Sequence, residues 1–155
     1  MNRVSITMDS QSQNISFARV VVAGFLAPLD PSVDEVTDIK TAVSEAVTNA
    51  IIHGYPGTEC QTGIGCLPGT GASPGKVRMS LSAQGRKIII QIADDGVGIE
   101  DIDTAREPLF TTKAELERSG LGFTMMESFM DEVTVESSPG QGTTITLAKT
   151  LASPE

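Results

Sequence analysis

Ser44 to Gly57 read SEAVTNAIIHGYPG, and the reading of this stretch decides the fold. Val36, Ile39, Val43, Ala46, Val47 and Ala50 recur at helical spacing, so a helix is expected to run through the stretch and end near Gly54 and Pro56. Ser32 and Glu35 have the spacing of a capping box at its start. Glu45, Asn49 and His53 do not belong to the apolar stripe. They share one ridge, with Glu45 nearly opposite Val43 and Val47. Ala42 and Ile52 lie on the same flank, which predicts that something partly covers this face. An Asn side-chain oxygen is a hard ligand suited to Mg²⁺ held against phosphates. A carboxylate one turn earlier is placed to orient or deprotonate a hydroxyl. The competing reading is a solvated helix surface, with Asn49 costing about 0.5 kcal/mol of helix propensity.

Outward from that helix, the periodicities alternate between classes. Val4, Ile6 and Met8 alternate with polar residues as in a short strand, and Asn14 to Leu26 carries a second helical pattern ending near Pro28. Lys76 to Ala83 and Lys87 to Ala93 read as strands joined at Gln84-Gly85-Arg86. A short acidic helix, DIDTAR, is expected after DDGVGI, and another helix over Gly120 to Met130. Glu132 to Ser137 and Thr143 to Ala148 close the pattern as a hairpin around SPGQG. Helices early and paired strands late predict an α+β fold. Residues 1–150 form one domain in this reading, with 151–155 as a tail.

The chain has 155 residues and a formal charge of −9, which leaves no basic field for nucleic-acid phosphates and excludes direct nucleic-acid binding from the reading. A nucleotide remains compatible, held by backbone amides, a metal ion or a few placed cations. No apolar run approaches the roughly 18 residues of a membrane span, and MNRVSITMDSQSQN lacks the apolar core of a signal peptide. The expectation is a soluble cytoplasmic protein. Cys60 and Cys66 form one CxxxxxC pair, too little for a disulfide framework or a zinc site. They lie in the stretch 54–75, where seven glycines and three prolines in 22 residues read as a loop.

Three glycine-bearing segments compete for a ligand. LPGTGASPGKV fails as a P-loop: Thr70 takes the first glycine position, Val77 replaces the Ser or Thr, and a strand follows where a helix is needed. ADDGVGI, 93–99, ends a hydrophobic strand. Its Asp94 is placed to accept a hydrogen bond from an exocyclic amine, and Gly96 and Gly98 allow close backbone approach, although an acidic turn has the same sequence. In SGLGFTMMESF, 119–129, Gly120 and Gly122 sit at a helix start whose free amides suit phosphate. Packing of Leu121, Phe123 and Met126 is the competing account.

ExxxNAxxHG (45–54), DDGVG (94–98), GLGF (120–123) and GTT (142–144) occur in that order. Together they resemble the ATP-binding fold shared by gyrase, Hsp90, histidine kinases and MutL. The resemblance implies a two-layer sandwich: a mixed, mainly antiparallel sheet covered by helices. SFARV, EAVTNAIIHGY, PLFTTKAELERSGLGF and MDEVTVES further resemble the anti-sigma F factors of sporulating bacteria, which are ATP-dependent serine kinases that also hold a sigma factor inactive.

That resemblance implies that Asn49 binds Mg²⁺ and that Glu45 is the base toward a substrate serine. It implies that Asp94 recognises the adenine amine of ATP or ADP, with Thr143 supporting it directly or through water. Gly96 and Gly98 would shape the adenine pocket, and Gly120 and Gly122 would present amides to phosphate. His53, Leu121 and Phe123 are implied as further nucleotide contacts. Residues 106–119 match a mobile ATP lid in which Thr112, Lys113 and Arg118 are candidate phosphate contacts. Arg19 matches a partner-contact position. The implied partners are a sigma F-like factor, an anti-anti-sigma protein as substrate, and a second copy of the chain, with neither nucleic acid nor membrane. The loop 55–75 is longer than such proteins usually carry. A nucleotide-gated sigma-binding module without phosphotransfer, and a related stress-response switch kinase, are the alternative functions.

Overall fold

The structure, a computed structural model, describes residues 1–54, 75–96 and 122–154. The expected DIDTAR helix, the lid 106–119, and residues 55–74 with Cys60 and Cys66 lie outside the described residues.

One five-stranded sheet organises the chain. Its strands are β1 (Asn2–Asp9), β2 (Lys76–Gln84), β3 (Lys87–Asp94), β4 (Glu132–Ser137) and β5 (Thr143–Thr150), in the order β1-β2-β3-β5-β4. The expected sheet was mixed and mainly antiparallel; every described pairing is antiparallel, so the described strands include no parallel pair. The two tight hairpins use left-handed glycines, Gly85 (φ 60°) and Gly140 (φ 76°), where a side chain would be strained.

Period-two alternation gives the sheet two unlike faces. Val77, Met79 and Leu81 on β2, Ile88, Ile90 and Ile92 on β3, and Ile145 and Leu147 on β5 are buried. The opposite face is polar, with Gln91 donating to Thr146 across strands at 3.3 Å. The apolar face is roofed by α1 (Gln13–Leu26), α2 (Val33–Asn49) and α3 (Gly122–Phe129), with α2 packed between the other two. This is the expected two-layer α+β sandwich. Each large aliphatic side chain buried between the layers contributes about 1.5–3 kcal/mol.

The central helix forms as its sequence dictates. Ser32 Oγ accepts from the Glu35 amide at 3.1 Å, and the Glu35 carboxylate accepts from the Ser32 amide at 2.8 Å, which completes the capping box. Asp34 and Glu35 in the first turn also oppose the positive end of the helix dipole. Ile39, Ala42, Val43, Ala46 and Val47 make one buried stripe. At its far end the helix does not simply stop. Ala50–Gly54 form a π-helical turn.

The segment between α1 and α2, the β2–β3 turn and the chain after β5 are tied to one another. The Arg86 guanidinium donates to the carbonyls of Leu29 and Ala152, while Glu35 accepts from the Ala152 amide at 2.7 Å. Leu151 is buried, so the chain past β5 is docked at least through Ala152.

Candidate nucleotide site

The inward rhythm of β3 continues one residue beyond its isoleucines. Ile88, Ile90 and Ile92 face the helices, so the next inward position is Asp94 at the strand end, only 5% exposed. A carboxylate there must find donors. The Gly96 amide donates to Oδ1 at 2.9 Å, and the Thr143 amide donates as well. Burial nevertheless outweighs these bonds and raises the carboxyl above its ordinary value.

The adjacent Asp95 has the opposite character. It points outward and pairs with Arg78 through two contacts, 2.5 and 3.1 Å, which hold its carboxyl below the usual range. Of the two acids in the DDGVG box, Asp94 is therefore the one available to an interior ligand.

Strand register assembles the rest of the row. Asp94 is the cross-strand partner of Thr143, and Thr143 is the partner of Ser137 on β4. All three lie on the helix-facing side of their strands. Ser137 Oγ donates to the Gly142 carbonyl at 2.9 Å and lies 2.8 Å from Thr143 Oγ1. Gly142 adopts φ 83°, and a β-carbon there would sit inside contact distance of the Asp94 carbonyl oxygen. Glycine at this position lets β5 begin hard against the end of β3.

Asp94, Gly96 and Thr143 are thus brought together. Gly142 and Ser137 were not among the expected site residues. The glycine was visible in GTT, but its role needs the register; nothing marks the serine in sequence.

Asn49 ends α2 and Glu45 lies one turn earlier, and both are half-buried. Ala42 is fully buried and Ile52 half-buried, so the expected partial cover of this flank is present. The π-helical turn after Asn49 packs against β3, the strand that ends in Asp94. The side chain of His53 lies outside the described residues, as do Gly98, Thr112, Lys113, Arg118, Gly120 and Leu121. Gly122 is the first described residue of α3 and is buried. Phe123 is 7% exposed and packs in the core cluster with Met126.

Among the described residues no three His, Cys, Asp or Glu side chains cluster as a metal cage. A Mg²⁺ ion held by one carboxamide oxygen, waters and substrate phosphates needs no such cage, so Asn49 fits that role. Arg19 is exposed on α1 between Phe17 and Val20, which are 51% and 67% exposed. Among the described residues no helix is long and apolar enough to cross a membrane.

Comparison with known proteins identifies the family. Residues 8–149 match the family described as a histidine kinase-like ATPase domain. The anti-sigma F factor of Bacillus velezensis is 53% identical over 151 residues, covering 97% of this chain and 94% of that protein. The anti-sigma F factor of Bacillus subtilis is 52% identical over the same shares. The chain belongs to the anti-sigma F family of histidine kinase-like ATPase domains.

The solved RsbU and RsbW domains of Rv1364c from Mycobacterium tuberculosis superpose with a TM-score of 0.66 at 22% identity, over 99% of this chain and 34% of that one. That likeness is one of fold. As a histidine kinase-like ATPase domain, the chain is a binder of adenine nucleotide. The Asp94–Thr143 pair lies at the end of β3 and the start of β5, and the helix carrying Glu45 and Asn49 continues into a turn packed against β3.

Proposed function

We propose that this protein sequesters a sigma F-like factor and, with Mg·ATP bound, phosphorylates a serine on an anti-anti-sigma protein. It acts in the cytoplasm of a sporulating cell, as a homodimer. The observation that carries the reading is the half-buried pair Glu45 and Asn49, one turn apart on the helix whose end packs against β3. A module that only bound nucleotide would need a metal ligand there but no carboxylate.

In this reading Asp94 and Thr143 receive the adenine, with Gly96 and Gly98 leaving room for the ring. His53, Leu121 and Phe123 border the nucleotide. Asn49 holds Mg²⁺, which supplies charge neutralisation at the phosphates. Amides at Gly120 and Gly122, with Thr112, Lys113 and Arg118 of the lid, spread the remaining charge. Glu45 takes the proton of the acceptor serine as its oxygen bonds to the γ-phosphorus, and the bond to the β-phosphate oxygen breaks to leave ADP. Arg19, flanked by exposed Phe17 and Val20, meets a protein partner.

Nucleotide biases the choice of partner only if the two nucleotide states bind that partner differently. The test is titration of purified sigma F-like factor into protein loaded with ATP or ADP, for wild type and Arg19→Glu. A preference of about tenfold or more for one nucleotide state, lost in the variant, is expected. Equal affinity in both states, or a variant that binds as wild type, would contradict the reading.

A further inference from the structure

The hydroxyls of Ser137 and Thr143 carry information about which base the site accepts. Each has one proton and two lone pairs. Ser137 lies 2.9 Å from the Gly142 carbonyl, which can only accept, so the Ser137 proton is committed there. Ser137 Oγ also lies 2.8 Å from Thr143 Oγ1. With the serine proton already spent, the threonine must donate in that contact. Thr143 Oγ1 is then left with lone pairs only. It cannot offer a proton to anything else.

Thr143 is 9% exposed and stands opposite Asp94 in the strand register. Asp94 is itself an acceptor when ionised, and its oxygens already take the Gly96 and Thr143 amides. Two acceptors side by side favour a ligand edge that donates, and a carbonyl edge meets only lone pairs.

We propose that Ser137 is the positioning residue that sets base preference, by consuming the Thr143 proton and so fixing the site against 6-oxo purines. The inference rests on the reading that Asp94 receives the base. Ser137 is proposed to act through Thr143, as a positioning residue. Without the Ser137 hydroxyl, Thr143 is free to rotate and donate to a 6-oxo group, directly or through a water. A site built on fixed polarity then becomes adaptable, and discrimination of this kind depends on leaving the wrong ligand's polar groups unpaired.

The experiment is calorimetric titration of ADP and IDP into wild type, Ser137→Ala, Ser137→Thr and Asp94→Asn, with thermal melts to confirm folding. IDP replaces the 6-amino group by a carbonyl, puts a proton on N1, and leaves the sugar and phosphates alone. Ser137→Ala is expected to lower the ADP-to-IDP affinity ratio about fivefold, chiefly by tightening IDP, the loss of one fixed hydrogen-bond polarity. Ser137→Thr restores the ratio because its hydroxyl can repeat the relay.

A purely structural serine would weaken both nucleotides together and leave the ratio alone. That result, with Asp94→Asn collapsing the ratio, overturns the role of Ser137 but not the base site. If Asp94→Asn also leaves the ratio unchanged, the base does not dock at Asp94 and both readings fall.

Discussion

Gly142→Ala tests whether β5 must begin hard against the end of β3. The residue sits at φ 83°, where a side chain costs about 1–2 kcal/mol. A β-carbon would also lie 2.8 Å from both the Asp94 carbonyl carbon and Asp95 Cα, and nearer still to the Asp94 carbonyl oxygen. These are backbone atoms at the end of β3 and of the residue after it, so no flexible side chain can swing away. The strand ends must part by roughly 1 Å to restore ordinary contact. Forced overpacking of this kind costs about 1–3 kcal/mol. The total is about 3 kcal/mol, which lowers Tm by roughly 6–12 °C for a domain of this size.

The same displacement pulls the Thr143 amide from Asp94, and ADP affinity falls about tenfold. Gly140→Ala is the control: its φ is 76°, but its β-carbon meets nothing within 4 Å, so it suffers only the torsional cost. Calorimetric melts and ADP titration on both variants separate the two contributions. If Gly142→Ala melts no lower than Gly140→Ala and binds ADP as wild type does, the close-approach argument is wrong.

Asp94→Asn should weaken ATP and ADP far more than GTP in binding titrations, since it removes the acceptor for the amine; equal loss for both bases counts against it. ADP affinity in wild type should fall as pH drops through the raised Asp94 value, earlier than an ordinary Asp would protonate, and the step should vanish in Asp94→Asn; titrations from about pH 7 to about pH 4 check this. Glu35 has the opposite sign: the Ala152 and Ser32 amides lower its carboxyl, so the stability it adds is present above the ordinary carboxylate range and is lost as pH falls through the lowered value. Melts of Glu35→Gln should therefore show a shallower acid limb than wild type. Asn49→Ala should abolish the gain in ATP affinity on adding Mg²⁺, and an unchanged gain rules out its ligand role.

How far the sequence could be read depends on whether a feature is set locally. Ser32 and Glu35 announce the capping box because both halves lie three residues apart. The run Ile88, Ile90, Ile92 projects Asp94 inward by parity alone, so the buried carboxylate was legible before any register was known. Gly142 was legible as a box residue but not as a contact, because its reason is the end of a strand some fifty positions earlier. Ser137 looks like any serine at a strand end until β4 and β5 are paired. The π-helical turn after Asn49 has no local signature; its apolar residues and glycine fit an ordinary helix end equally well. Packing of that segment against β3 is what the sequence alone does not display.

The most direct measurement is transfer of labelled γ-phosphate from Mg·ATP to the anti-anti-sigma protein, comparing wild type with Glu45→Ala. The account predicts phosphoserine with wild type and its loss in the variant, with ATP binding intact in both. Absence of transfer by wild type that binds ATP tightly would contradict the kinase assignment and leave a nucleotide-gated sigma-binding module.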